Sequence, residues 1–166
     1  MEDGSNKTDK MMKKLYHILV ALAALCTVLS CQKEDMKDSV ANDLVGEWHL
    51  EETETDGIVI DPLSDVYLII NSDCTFIMYQ KSGDQKRYTR FTGTCKTTQN
   101  ILSGEYSDGT RFESDYEFSI SGDTLTLITA DGLEIQTWIR ESLDQNLKNE
   151  ADVKTRSVLH DVIPFL

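Results

Sequence analysis

Basic residues are scarce in this chain of 166 residues: 16 Lys and Arg stand against 29 Asp and Glu, a formal charge of −13 at pH 7. No basic stripe exists to displace counterions from phosphates, which excludes nucleic acid as a partner. The acidic residues are spread out rather than blocked, the pattern of a solvated, self-repelling surface. Histidines are few, namely His17, His49 and His160. No Ser/His/Asp constellation, phosphate loop or His-Glu-x-x-His motif can be assembled around them. We therefore expect no enzyme, no catalytic residue, no metal and no cofactor. Also missing is an apolar run of about 20 residues, the length that spans a bilayer. The longest, LYHILVALAALCTVLS at 15–30, is shorter and directly follows Lys13 and Lys14.

A positive segment, an apolar stretch and small residues before a cut site compose a secretory signal over 1–30. The polar MEDGSNKTDK in front of it is explained if translation begins at Met11 or Met12, because MKKLYHILVALAAL is a complete signal by itself. Cys26 lies within the segment to be removed. Val28-Leu29-Ser30-Cys31 resembles the lipobox of bacterial lipoproteins, with an aliphatic residue, a small residue and an obligatory cysteine. The resemblance implies cleavage before Cys31, a diacylglyceryl group on its sulfur and acylation of its new amino terminus. More than one acyl chain turns reversible membrane contact into stable anchoring, at about 0.8 kcal/mol per buried CH₂. Gln32-Lys33-Glu34-Asp35 resembles the signal that exports lipoproteins of one phylum of Gram-negative anaerobes. That implies the outer face of the outer membrane, with a periplasm-facing product as the alternative. Residues 31–43 then read as the lipidated cysteine and a polar tether. Within it, Asp38-Ser39-Val40 resembles an O-glycosylation site of the same bacteria, with Ser39 as the acceptor.

From Leu44 onward the texture changes to short alternating runs, each closed by a turn signal. Strands are expected at 46–52, 66–71, 75–81, 87–96, 101–107, 111–120, 124–129 and 133–140. Most connections are short enough for hairpins, and a meander of this size loses its exposed edges by closing into a barrel. Phe112, Tyr116, Phe118 and Ile120 alternate with Glu113, Asp115 and Glu117, as in a half-buried strand. A helix follows, with Ser142-Leu143-Asp144-Gln145 fitting a capping box and Leu143, Leu147 and Ala151 on one stripe. The apolar tail, 154–166, has no assigned role.

Over 44–153 the chain resembles the lipocalin-like domains of secreted bacterial lipoproteins, an all-β, eight-stranded up-and-down barrel with a C-terminal helix. The residues that carry the likeness are Gly46-Glu47-Trp48, the long first loop at roughly 53–65, and the Asn71-Ser72-Asp73 turn. Arg140 closes the last strand, and the resemblance implies that it lies over Trp48 and shuts one end of the barrel. Such a contact contributes about 0.5–2 kcal/mol. The Thr-Asp-Tyr motif of lipocalins is absent, since the corresponding turn reads only Ser121-Gly122-Asp123.

Two further sets of residues are candidates. Cys74 and Cys95 fall at the same end of one expected hairpin, either as a disulfide in an oxidising compartment or as two separate thiols. Phe76, Met78, Phe91, Tyr116 and Phe118 point inward, where they either line a site for a small hydrophobic or amphipathic ligand or simply fill the core. The expected function follows that fork. It is capture of such a ligand in the barrel, or a protein-interaction module on the outer membrane that uses the acidic wall, the 53–65 loop or the tail.

Overall fold

The structure, a computed structural model, describes residues 39–60 and 64–155. The signal segment, Cys31 and the tail beyond residue 155 lie outside the described residues. The elements in chain order are β1 (Gly46–Thr55), β2 (Ile58–Ile60), β3 (Ser64–Ile70), β4 (Thr75–Ser82) and β5 (Thr89–Thr98). They continue with β6 (Ile101–Tyr106), β7 (Tyr116–Ser121), β8 (Thr124–Thr129), β9 (Glu134–Arg140), a short α1 (Gln145–Asn149) and β10 (Asp152–Val153).

Each strand from β3 to β9 pairs antiparallel with the next, and β1 pairs with both β3 and β9. Eight strands therefore close on themselves, so the main ladder has no free edge. Alternation sets the interior: Trp48, Leu68, Met78, Phe91, Leu127 and Trp138 face inward, and each is at most 2% exposed. The period slips once. Between Leu50 and Glu52 the β1–β9 register shifts by a bulge at Glu51. An unbroken alternation from Trp48 would point Glu52 and Glu54 into the core. The extra residue turns both outward and aligns Thr53 with the inward Gln136 instead.

Four expectations require correction. The described residues of the stretch 53–65 do not form a long loop: β1 runs to Thr55, turns at Asp56-Gly57 and returns as β2 against its own strand. Both turn residues have positive φ, 52° and 77°, as a tight type I′ hairpin requires. The strand expected at 111–120 begins only at Tyr116. The chain bulges out at 113–115 between the Glu105–Arg111 bridge and the Leu102–Tyr116 pair. The helix is capped by Asp144, whose carboxylate accepts the Asn146 N–H at 2.8 Å, not by Ser142. Leu147 is 41% exposed, so Leu143 and Ala151 alone dock on the wall, against Tyr67, Tyr79 and Tyr88. Lys148 fastens α1 to β1 through both Glu47 carboxylate oxygens at 2.8 Å.

The fourth correction concerns the tether. From Ser39 on, the segment belongs to the barrel's packing: Val40 and the fully buried Leu44 join the core. The Ser39 carbonyl accepts the Thr97 N–H at 2.7 Å, and Ala41 N–H donates to Thr97 Oγ1 at 2.9 Å. Ser39 itself is exposed.

Candidate functional site

One end of the barrel is closed by a small number of residues. The Trp48 indole is fully buried and its Nε1–H donates to the Leu44 carbonyl at 2.9 Å. The Arg140 guanidinium sits 4.1 Å from the centre of that ring. It donates to the carbonyls of Val45 and Asp43 at 3.2 and 3.0 Å. Gly46 is what allows this. Its φ is +150°, and a Cβ there would lie 2.2 Å from Arg140 Nη1. The 39–45 segment thus crosses the barrel floor, with Arg140 clamping its carbonyls and covering the tryptophan.

Above that floor the interior is occupied by the chain itself. Phe76, Met78, Phe91, Tyr116 and Phe118 are between 1% and 9% exposed and belong to one packed cluster. Phe76 meets Tyr106 and Phe112 edge-on, with ring centres 5.4 and 5.3 Å apart, and Tyr106 meets Phe112 at 5.8 Å. Two glycines make the room. A Cβ on Gly93 would lie 2.5 Å from the Phe76 ring, and one on Gly104 would lie 2.6 Å from the Phe112 ring. Glycine inside a strand is the sequence sign of such close approach, and both were open to that reading in RFTGTCK and ILSGEYS.

The opposite end of the interior is polar. Ser64, Gln80, Thr89 and Gln136, all at most 6% exposed, face inward at one level. Gln136 accepts from Trp138 Nε1 at 3.1 Å and donates to Glu134 at 2.6 Å, while Gln80 reaches Ser64 Oγ at 3.5 Å. Thr53 Oγ1 and Gln80 Oε1 are buried without a hydrogen-bond partner. The residues expected to line an apolar site are therefore core, and the polar layer above them was not foreseen.

Cys74, just before β4, lies beside Cys95 of β5, and its carbonyl accepts the Cys95 N–H at 2.9 Å. No disulfide joins them in this structure, so that alternative is not the one formed here. Burial, and to a lesser degree the neighbouring Cys74 and Asp73, pushes the Cys95 thiol up to about 12. That withholds the thiolate needed for exchange. Beside them, at the 113–115 bulge, an open depression of about 720 Å³ is lined mainly by polar and charged side chains, Lys96, Glu105, Arg111 and Asp115 among them.

A second polar cluster sits on the outer wall and escaped the sequence reading. His49 stacks on Tyr67 at 4.3 Å, with Nε2 3.0 Å from Asp65 and Nδ1 3.2 Å from Glu141. Asp65 also accepts the Tyr88 hydroxyl at 2.5 Å, and Lys81 lies 4.7 Å over the Tyr88 ring. Burial first, then the charges of Asp65 and Glu141, pushes Tyr67 up to about 12. Burial and the hydrogen bond to Asp65 raise Tyr88 as well. For all three groups the folded state favours the protonated form. Their stabilisation is therefore complete below the ordinary values of 9.0 for cysteine and 10.0 for tyrosine, and is lost as pH climbs toward 12. We expect the melting temperature to fall steeply across that window, and Tyr67→Phe to flatten the fall. A melting curve unchanged between pH 9 and 12 would refute this.

Residues 44–147 match the model of the lipocalin-like domain family. The chain belongs to that family. Solved structures with a remote likeness to this lipocalin-like chain include a lipoprotein YedD from Klebsiella pneumoniae, 14% identical with a TM-score of 0.44. That likeness covers 70% of this chain and 88% of the other. An uncharacterized protein from Bacteroides eggerthii is also 14% identical, with a TM-score of 0.47, over 58% of this chain and 98% of its own. No curated protein matches this lipocalin-like chain.

Proposed function

We propose that this lipocalin-like chain is a non-enzymatic module, lipid-anchored through Cys31 to the outer membrane and displayed at its outer face, that acts through its external surface. The observation that carries the surface-acting part is the packed interior: the five side chains that would line an apolar site belong to one buried cluster, in which the Phe76 and Phe112 rings are seated on Gly93 and Gly104. A barrel of this strand number holds at most one small ligand even when its side chains leave room. The anchor rests on Lys13-Lys14, the apolar stretch and the Val28–Cys31 motif.

A second reading, capture of a small amphipathic ligand at the mouth, draws on the polar layer, where Gln80 Oε1 and Thr53 Oγ1 have no partner. Such buried acceptors are normally satisfied, by water or by a bound group. Native mass spectrometry of the purified protein separates the readings. The surface-acting reading expects a bare mass, and a stoichiometric small molecule that is lost in Gln80→Leu would replace it with the second.

The anchor has its own test. Cys31→Ser should abolish metabolic palmitate labelling and release a folded domain from the membrane fraction. Labelling that survives the substitution would sink the assignment.

A further inference from the structure

The β1–β2 hairpin carries three consecutive exposed β-branched residues, Ile58, Val59 and Ile60, at 65%, 55% and 46% exposure. Leu133, 55% exposed, sits beside them, since its carbonyl accepts the Asp56 N–H at 2.9 Å. Exposed apolar residues in one place mark interaction surfaces more than scattered ones do.

Among the described residues, β2 pairs with β1 alone, so its second edge has no partner. In a two-residue hairpin the Thr55–Ile58 pair next to the turn is hydrogen-bonded, and the ladder then alternates. Val59, opposite Glu54, therefore turns its N–H and C=O away from β1. A free edge of this kind accepts an added strand, with main-chain bonds giving affinity and side chains giving selectivity.

Charge decides which strand. Segments 51–60 and 131–134 hold Glu51, Glu52, Glu54, Asp56, Asp131 and Glu134, and no Lys or Arg. A second copy would bring the same acids against them, and like charges oppose that pairing. An anionic bilayer is repelled for the same reason. The tip also lies at the far end of β1 from Gly46, where the chain enters the barrel.

Resting on the surface-acting reading above, we infer that the β2 edge docks an extended segment of a partner protein, apolar at its centre and flanked by Lys or Arg.

The test uses the full acylated chain in zwitterionic nanodiscs. It is titrated with the end-blocked peptide KTVIVTK and its acidic counterpart ETVIVTE, with hydrogen exchange followed at residues 56–60. KTVIVTK should bind at least about tenfold more tightly than ETVIVTE, slow exchange at the hairpin, and weaken as salt rises. Val59→Pro removes the outward N–H while sparing the bonds to β1, and should weaken binding about tenfold. Unchanged exchange at Thr53 and Thr55 verifies that its hairpin is intact. The double substitution Glu52→Lys, Glu54→Lys should reverse the peptide preference.

Equal binding of the two peptides, binding of neither, or full binding by Val59→Pro with an intact hairpin overturns the proposal. So does protection of the tip by the nanodisc alone, which makes lipid the occupant, or protection that grows with protein concentration, which makes it a second copy. A bare mass in the native spectrum together with any of these failures leaves the surface-acting reading standing. A stoichiometric interior ligand removes that reading by itself.

Discussion

Trp48→Ala should destabilise the barrel by about 3–5 kcal/mol, a large share of the stability of a domain this size. The indole is fully buried, so truncation removes its transfer free energy and leaves a cavity in a packed floor. It also strips the Leu44 carbonyl of the Nε1–H it accepts, and leaves Arg140 facing a void instead of a ring. These losses share one site, so they are coupled and will not add as independent terms. Arg140→Met is the informative companion. It keeps an apolar stem over the indole while giving up the cation–π contact and the bonds to Asp43 and Val45, and should cost about 1–2 kcal/mol. Urea denaturation followed by far-UV circular dichroism reads both. A Trp48→Ala midpoint close to that of the parent would mean that the 39–45 segment, not the indole, closes the barrel.

That floor was legible through the resemblance to lipocalin-like domains, which implied that Arg140 lies over Trp48. Alternation by itself gave only the strands, with Gly46 at the start of one and Arg140 at the end of another. The hairpin at Asp56-Gly57 was written there too, as an Asp-Gly pair, but it is flanked by Glu-Glu-Thr-Glu-Thr. With no apolar alternation on the near side, the turn signal looks like part of a loop. The bulge at Glu51 leaves no local mark at all, since it shows only when β1 is aligned with β9. The His49 network is invisible for a related reason: its partners Asp65 and Glu141 lie 16 and 92 positions away and meet only when the sheet closes. The filled interior is the most consequential case. Counting inward aromatics gives the same list whether they surround a cavity or fill one. What decides between those outcomes is the strand glycines opposite them.

Gly93→Ala tests that decision, and should cost about 3 kcal/mol, the upper end of the range for overpacking a core. A Cβ at this position would stand 2.1 Å from the Glu105 carbonyl oxygen and 2.5 Å from Phe76 Cε1. The ring has some freedom to tilt, whereas the carbonyl belongs to the β5–β6 ladder and moves only if the strands part. Gly83→Ala is the control, because a Cβ there meets nothing within 4 Å and the substitution should be close to neutral. Adding Phe76→Leu to Gly93→Ala relieves the ring contact but not the carbonyl contact, so it should rescue the variant little, and Phe76→Leu alone opens a cavity of its own. If Gly93→Ala proves as stable as the parent, the β5–β6 wall can spread and the aromatic cluster can shift with it. The interior would then be deformable rather than filled, and the ground for a surface-acting barrel would give way to capture of a ligand within it.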